Sequence, residues 1–351
     1  MIVTSRLLRF LGFTALSFIF AYLNQFHLKI KLLPFYFLCC SVSLFAQDAI
    51  LSQYNSFPLY NNMAAAGSAG CCRGISGLRL QWLNFDGGYK TYYSSFDVYS
   101  RDLRSGIGIE QVRNDEGNGM ITNDHFQFTI SPAFSFGWLD SVTSQRQVVV
   151  KPAIGIGIVQ YAFDWSKYTW GDQIDPIYGF LYTTNETKNK EKSIRPDFGG
   201  GIFTYGEKFY GGVYIHHLFQ PPIGVLYSGI PLYARAVLNG GYLLKGDWLG
   251  KFELIPSFIF EEDHIYRNRN IKRIELTLTA KYDKFMLGIS ERYQSAFVCM
   301  AGFKYDFFKI GYAYDINTTD VRKAVGSTHE LFLGFNFACR KEFKKIRTLD
   351  F

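Results

Sequence analysis

Beyond residue 46 the sequence lacks any uninterrupted apolar run approaching the roughly 18 residues that a membrane-spanning helix needs, so only strands could carry this part of the chain across a bilayer. It also lacks a basic excess. Of 37 Lys and Arg, four (Arg6, Arg9, Lys29 and Lys31) fall in the first 46 residues, which hold no acid, leaving 33 against 30 Asp and Glu. A near-balanced chain has no clustered basic footprint for nucleic acid. Histidine is scarce, at six, and cysteine is poorly placed for metal. Cys39 and Cys40 lie in the leader, and Cys71, Cys72, Cys299 and Cys339 have no metal-ligand spacing. Adjacent Cys71 and Cys72 read as small filler near the first strand or as disulfide partners in an oxidising compartment. Catalytic constellations are thin. His216 and His217, adjacent in a strand, are expected to point to opposite faces and not to share a metal. Asp124-His125 and Asp263-His264 fall near predicted outer loops, with no nucleophile or water-positioning group in register. No enzyme activity, cofactor or metal is expected.

Aromatics are abundant, at 18% of residues with 34 Phe and 24 Tyr, alongside 33 Gly and only 19% charge. Mean hydropathy is -0.01. A transmembrane barrel gives this mixture, because its strands alternate lipid-facing apolar residues with polar or small lumenal ones, between two aromatic girdles. The N-terminus carries two apolar stretches, Leu7 to Leu23 and Leu32 to Ala46. The second fits a secretory signal, with Lys29 and Lys31 as its charged region and Ala46 before the cleavage point, although Leu44 occupies the minus-three position. The first is a mis-called upstream start (residues 1–25), part of a long signal, or an anchor.

About 14 strands show period-two alternation over 9 to 14 residues. In Ile271 to Tyr282, Ile274, Leu276, Leu278 and Ala280 oppose Arg273, Glu275, Thr277 and Thr279. In Phe308 to Ile316, Phe308, Ile310, Tyr312 and Tyr314 oppose Lys309, Gly311, Ala313 and Asp315, and in His329 to Phe337 only Phe332 breaks the pattern. Short connections alternate with longer ones, the longest being Asp164 to Lys192; 86–89 and 293–295 are short exceptions among the long set. Short turns on one side and long loops on the other, with an even strand count, describe an antiparallel up-and-down outer-membrane barrel with both termini periplasmic. Gly106, Gly108, Gly155, Gly157, Gly199 to Gly201, Gly211 and Gly212 fall inside strands and mark bends or close backbone approach. The expected organisation is a leader over 1–46, a periplasmic or plug segment over 47–76, a barrel over 77–339 and a basic tail over 340–351.

Several short runs remain. Ser52-Gln53-Tyr54, Pro58-Leu59-Tyr60 and Asn62 to Ser68, including Gly67, follow the leader. Next come Gln81-Trp82 to Gly87, Lys90-Thr91-Tyr92 and Asn114-Asp115-Glu116-Gly117, and near the end Gly311 to Tyr314-Asp315 and His329-Glu330. Their order and spacing resemble the PorP/SprF family of outer-membrane proteins of the type IX secretion system of Bacteroidota, over roughly residues 48 to 339. The family has Asn-Pro-Ala where this chain has Asn62-Met63-Ala64. The resemblance implies a non-enzymatic barrel working with the secretion machinery, in which some members associate with its periplasmic ring and others serve one very large secreted or surface protein, such as a gliding adhesin. The loop carrying Trp165, Tyr168, Trp170, Tyr178 and Tyr182 is the candidate partner surface, since such aromatics anchor interfaces and also form girdles. Asp315 and Glu330 are expected to face a solvated lumen near the outer rim. The other function class compatible with a barrel of this size is transport of a hydrophobic small molecule through the lumen.

Overall fold

The computed structural model describes residues 48–337, apart from 86, 142–143, 176, 181, 186–189, 224–230, 246–250, 264–269 and 320–324. The expected leader and basic tail, with Cys39, Cys40 and Cys339, lie outside the described residues. So does His264. No described helix is long and apolar enough to cross a membrane.

The first strands are β1 (Cys72–Gln81), β2 (Tyr89–Ser100), β3 (Ser105–Glu116), β4 (Ile121–Pro132), β5 (Phe134–Ser141) and β6 (Ser144–Asp164). There follow β7 (Ile174–Asp175), β8 (Gly179–Phe180), β9 (Lys190–Tyr205), β10 (Phe209–His216), β11 (Arg235–Tyr242) and β12 (Phe252–Asp263). The last are β13 (Asn270–Tyr282), β14 (Phe285–Arg292), β15 (Ala296–Tyr305), β16 (Phe308–Asn317) and β17 (Thr328–Phe337). Neighbours pair antiparallel, β1 meets β17 and β4 meets β6, so the wall is a closed 14-stranded barrel. Closure removes the unpaired edges that a bilayer would penalise.

Three strands stand outside the wall. β7 and β8 form a two-stranded ribbon in the longest loop. β5 continues β4 in the same register against β6 after a break at 131–133, where Pro132 has no N–H to give and Pro152 stands in the facing strand. The β5–β6 hairpin therefore runs past the short-turn rim, because β3 stops at Ser105. Of the two short exceptions at the long-loop rim, Tyr293–Ser295 is a tight turn with Gln294 at φ 54°, whereas the connection expected at 86–89 begins earlier, β1 ending at Gln81 and Trp82 taking φ 64°, and Asp86 lies outside the described residues.

The alternation separates lipid from lumen. On β13, Leu276 is 63% exposed while Arg273, Glu275 and Thr277 are buried. The first strand starts at Cys72, before the expected boundary at 77. Its opening residues are small or charged, and Arg73 faces inward to pair with Asp97 at 2.8 Å, so no apolar alternation announces the strand there. Cys71 is disulfide-bonded, which replaces the filler reading for that residue, while Cys72 and Cys299 are free thiols.

Residues 48–71 lie inside the barrel. Short helical turns at Tyr54–Ser56, Pro58–Asn61 and Met63–Ala65 fold them into a plug. Pro58 starts its helix where its missing N–H costs nothing. Met63 stands where the resembled family has proline, and the tight turn survives because the Asn62 side chain accepts the Ala64 N–H at 2.9 Å and caps it. Phe57 explains why Phe332 breaks the β17 pattern. Phe332 turns inward, its ring edge-on to Phe57 at 5.6 Å, and Gly77, its register partner on β1, leaves room for the same ring. A Cβ at Gly77 would lie 2.6 Å from Phe57.

Candidate functional site

The plug is held mainly by polar groups on the inward faces of distant strands. Glu330 on β17 accepts the backbone N–H groups of Ser52 and Gln53, each at 2.7 Å, and ion-pairs with Arg79 of β1 at 3.2 Å. Arg79 also reaches Asp315 of β16 at 3.0 Å, and Asp315 accepts from the Ser52 hydroxyl at 2.6 Å. Arg292 extends the network from Asp315 (3.2 Å) to Glu275 (2.8 Å), and Arg273 pairs with Glu275 at 2.7 Å and donates to the Leu51 carbonyl at 2.8 Å. Three guanidinium and three carboxylate groups thus meet at the plug backbone. Asp315 and Glu330 do face inward as expected, but each is 1% exposed and paired, not solvated. Burying such charges is expensive unless every partner is present, and the plug supplies partners that the wall alone lacks.

A second contact set fixes the other end of the plug. The Gly67 N–H donates to Asp97 at 2.7 Å, whose carboxylate also binds Arg73, and Lys151 donates to the Ala66 carbonyl. Gly67 has φ +72°, and a Cβ there would lie 2.8 Å from the Gly106 Cα. Tyr54 donates to Ser257 at 3.0 Å under the Arg273 guanidinium, Asn62 donates to the Ile202 carbonyl at 3.1 Å, and Leu59 packs at Gly108. The quoted motif residues of 53–68 are therefore plug residues.

The remaining motif residues stiffen the long-loop rim. Thr91 and Asn114 are register partners joined side chain to side chain at 2.8 Å. Gly117 donates to the Gly87 carbonyl at 3.0 Å, both glycines having positive φ, and Trp82 packs edge-on to Tyr89 beside Gln81, the last residue of β1. Asp115 takes the Arg113 guanidinium at 2.9 Å, and Tyr314, on the outward face of β16, packs edge-on to His329.

The long loop divides its aromatics. Trp165, Tyr168 and Trp170 cluster at its base with centroids 5.0 to 6.5 Å apart, Trp165 stacking on Phe163. Tyr178 and Tyr182 project from the β7–β8 ribbon with Ile177 and Phe180, Tyr178 being 76% exposed. Asp175 shapes this tip by accepting the backbone N–H groups of Tyr178 (2.9 Å) and Ile177 (2.8 Å) and the Tyr182 hydroxyl, which hold its carboxyl below the ordinary aspartate range.

Histidine placement departs from the expectation. His216 and His217 do not diverge. His217 takes φ +54°, which returns its ring to the lumen, and both residues are buried. His125 is an inward residue of β4 and not a loop residue. Its Nε2 and the His217 Nδ1 each lie 2.9 Å from Asp197 Oδ2 of β9.

Residues missed by sequence reasoning include Arg79, Asp97, Arg273, Glu275 and Arg292. The available signal was charge at inward positions of strands that prove to be neighbours.

Residues 43–335 match the family model described as type IX secretion system membrane protein PorP/SprF. No curated protein matches the sequence. Similar solved structures include a Pseudomonas aeruginosa FadL homologue (13% identity, 76% of this chain and 89% of that one, TM-score 0.29). A mutant Rh. blastica porin gives 8% identity, 76% and 99% coverage and a TM-score of 0.32, and the KdgM porin 8%, the same coverage and 0.30.

Proposed function

Because this chain belongs to the PorP/SprF family of type IX secretion system membrane proteins, we propose that it is a non-enzymatic, plugged outer-membrane barrel that assists the export or surface attachment of one large secreted protein. The observation that carries this reading is the occupied lumen. The cavities bordering the plug measure about 40 and 50 Å³, room for a few waters and far below what a hydrophobic transport substrate needs. A small-molecule transporter would have to release a segment hydrogen-bonded to buried charged groups of the wall.

In this reading the leader over 1–46 is removed on export, both termini and the short-turn rim face the periplasm, and the long loops face outside. The β5–β6 hairpin then extends toward the periplasmic part of the machine. The exposed Ile177, Tyr178, Phe180 and Tyr182 of the loop tip offer the outer surface to a passenger, since an apolar and aromatic tip on a scaffold of this kind serves as an interface anchor.

Affinity purification of the crosslinked barrel from native outer membranes tests the proposal. Co-purification of periplasmic secretion components with a single large secreted protein is the expected result. Recovery of the barrel with a stoichiometric small hydrophobic ligand and no protein partner would overturn it.

A further inference from the structure

We propose that the barrel wall holds a transition-metal site of the zinc class, with His125, Asp197 and His217 as its ligands. These residues come from β4, from β9 and from the position after β10, and their ligand atoms all lie within 4.8 Å of one another. Each imidazole nitrogen lies 2.9 Å from the carboxylate oxygen and need draw away from it by only a few tenths of an ångström, because bonds of roughly 2.0–2.2 Å in a tetrahedral site separate ligand atoms by about 3.3 Å. Two imidazoles and a carboxylate suit zinc, cobalt or nickel, whereas calcium and magnesium take oxygen ligands. Three protein ligands leave a fourth position for water.

The surroundings are arranged for this site. His217 turns its Nδ1 to the cluster and its Nε2 to Asp48 of the plug at 3.1 Å, and metal-bound imidazoles use their second nitrogen on a carboxylate in this way. On β6, between the ligand strands, the register partner of Asp197 is Gly157, which carries no side chain and also pairs with Gln127, while His125 stands opposite the buried Val159; a Cβ on Gly157 would lie 2.2 Å from the Phe126 carbonyl oxygen. Around the cluster, Asp197 Oδ1, His216 Nε2 and the Gln127 amide are buried with no hydrogen-bond partner among the described residues. Buried polar atoms are otherwise nearly always satisfied, and a bound metal ion gives the ligand carboxylate's free oxygen, Asp197 Oδ1, a partner. His217 takes φ +54° to join the cluster, a left-handed conformation that is uncommon outside glycine and that His, Asn and Asp adopt more readily than other side chains. The ion would cross-link three strands of the wall and, through Asp48, the start of the plug.

The test is titration of the purified, chelator-stripped full barrel with Co²⁺, followed by displacement with Zn²⁺. One Co²⁺ per chain with the visible absorption of a tetrahedral site is expected, lost in His125→Ala and in His217→Gln and kept in His329→Ala, with each variant shown to be folded by heat-modifiable gel mobility. Asp48→Asn should weaken binding about 10- to 100-fold, the usual effect of removing an outer-shell partner. A folded wild-type barrel that binds no stoichiometric Co²⁺, or a signal unchanged in both ligand variants, would overturn the site. If both ligand variants fail to fold, the wild-type titration decides alone.

Discussion

Arg79 and Glu330 are register partners across the β1–β17 seam, where the first and last strands close the barrel, and their side chains ion-pair at 3.2 Å in the lumen. The same carboxylate holds the Ser52 and Gln53 N–H groups, so closing the wall and seating the plug share one residue. Glu330→Ala leaves a buried guanidinium and two backbone donors short of a partner and should cost about 3–5 kcal/mol. Denaturant unfolding should show that loss, with Glu330→Gln intermediate, and limited proteolysis should cut within 48–71 in the Ala variant first.

Gly106 has no space for a side chain. A Cβ there would lie 1.8 Å from the Ala66 carbonyl oxygen, a backbone atom that cannot rotate aside. Gly106→Ala should therefore displace the plug without breaking the wall. In planar bilayers the variant should conduct ions while the wild type stays closed.

The lipid face predicts an insertion defect. Leu276 sits midway along β13 and is 63% exposed to the side that the bilayer covers. Leu276→Arg should cost about 2–4 kcal/mol of insertion free energy, whereas Leu276→Phe should be nearly neutral. Folding into liposomes, followed by gel mobility, measures both.

The loop tip has its own pH dependence. Hydrogen bonds lower the Asp175 pKa in the folded loop, so their stabilisation is complete above the ordinary aspartate range and is lost as pH falls through the lowered value. Hydrogen-exchange protection over 174–182, taken relative to the intrinsic rate at each pH, should be flat from pH 7 to 5 and fall only in stronger acid, and Asp175→Asn should lower it at pH 7. Replacing Ile177, Tyr178 and Phe180 together by Ser should weaken passenger capture at least about tenfold, or 1.4 kcal/mol, with the barrel still folded.

Much of the wall was legible because a two-sided strand must alternate. Ile271 to Tyr282 and Phe308 to Ile316 show the pattern that the structure bears out. What escaped were facts set by tertiary partners. Arg79 meets Asp315 and Glu330 from 236 and 251 residues away, and nothing local marks such a pairing. The strand start at Cys72 was hidden because Arg73 and Gly74 carry no apolar alternation. His217 was misjudged because one positive φ overrides the two-residue period. The motif runs located the plug, but its place inside the lumen rests on contacts with strands far along the chain.

The most direct test of the central claim is deletion of the gene in its host with mass spectrometry of outer-membrane and culture-medium proteins beside wild type. Loss of one large protein, or its shift from the surface to the medium, is the predicted result, restored by the wild-type gene. An unchanged protein profile would contradict a secretion role for the barrel.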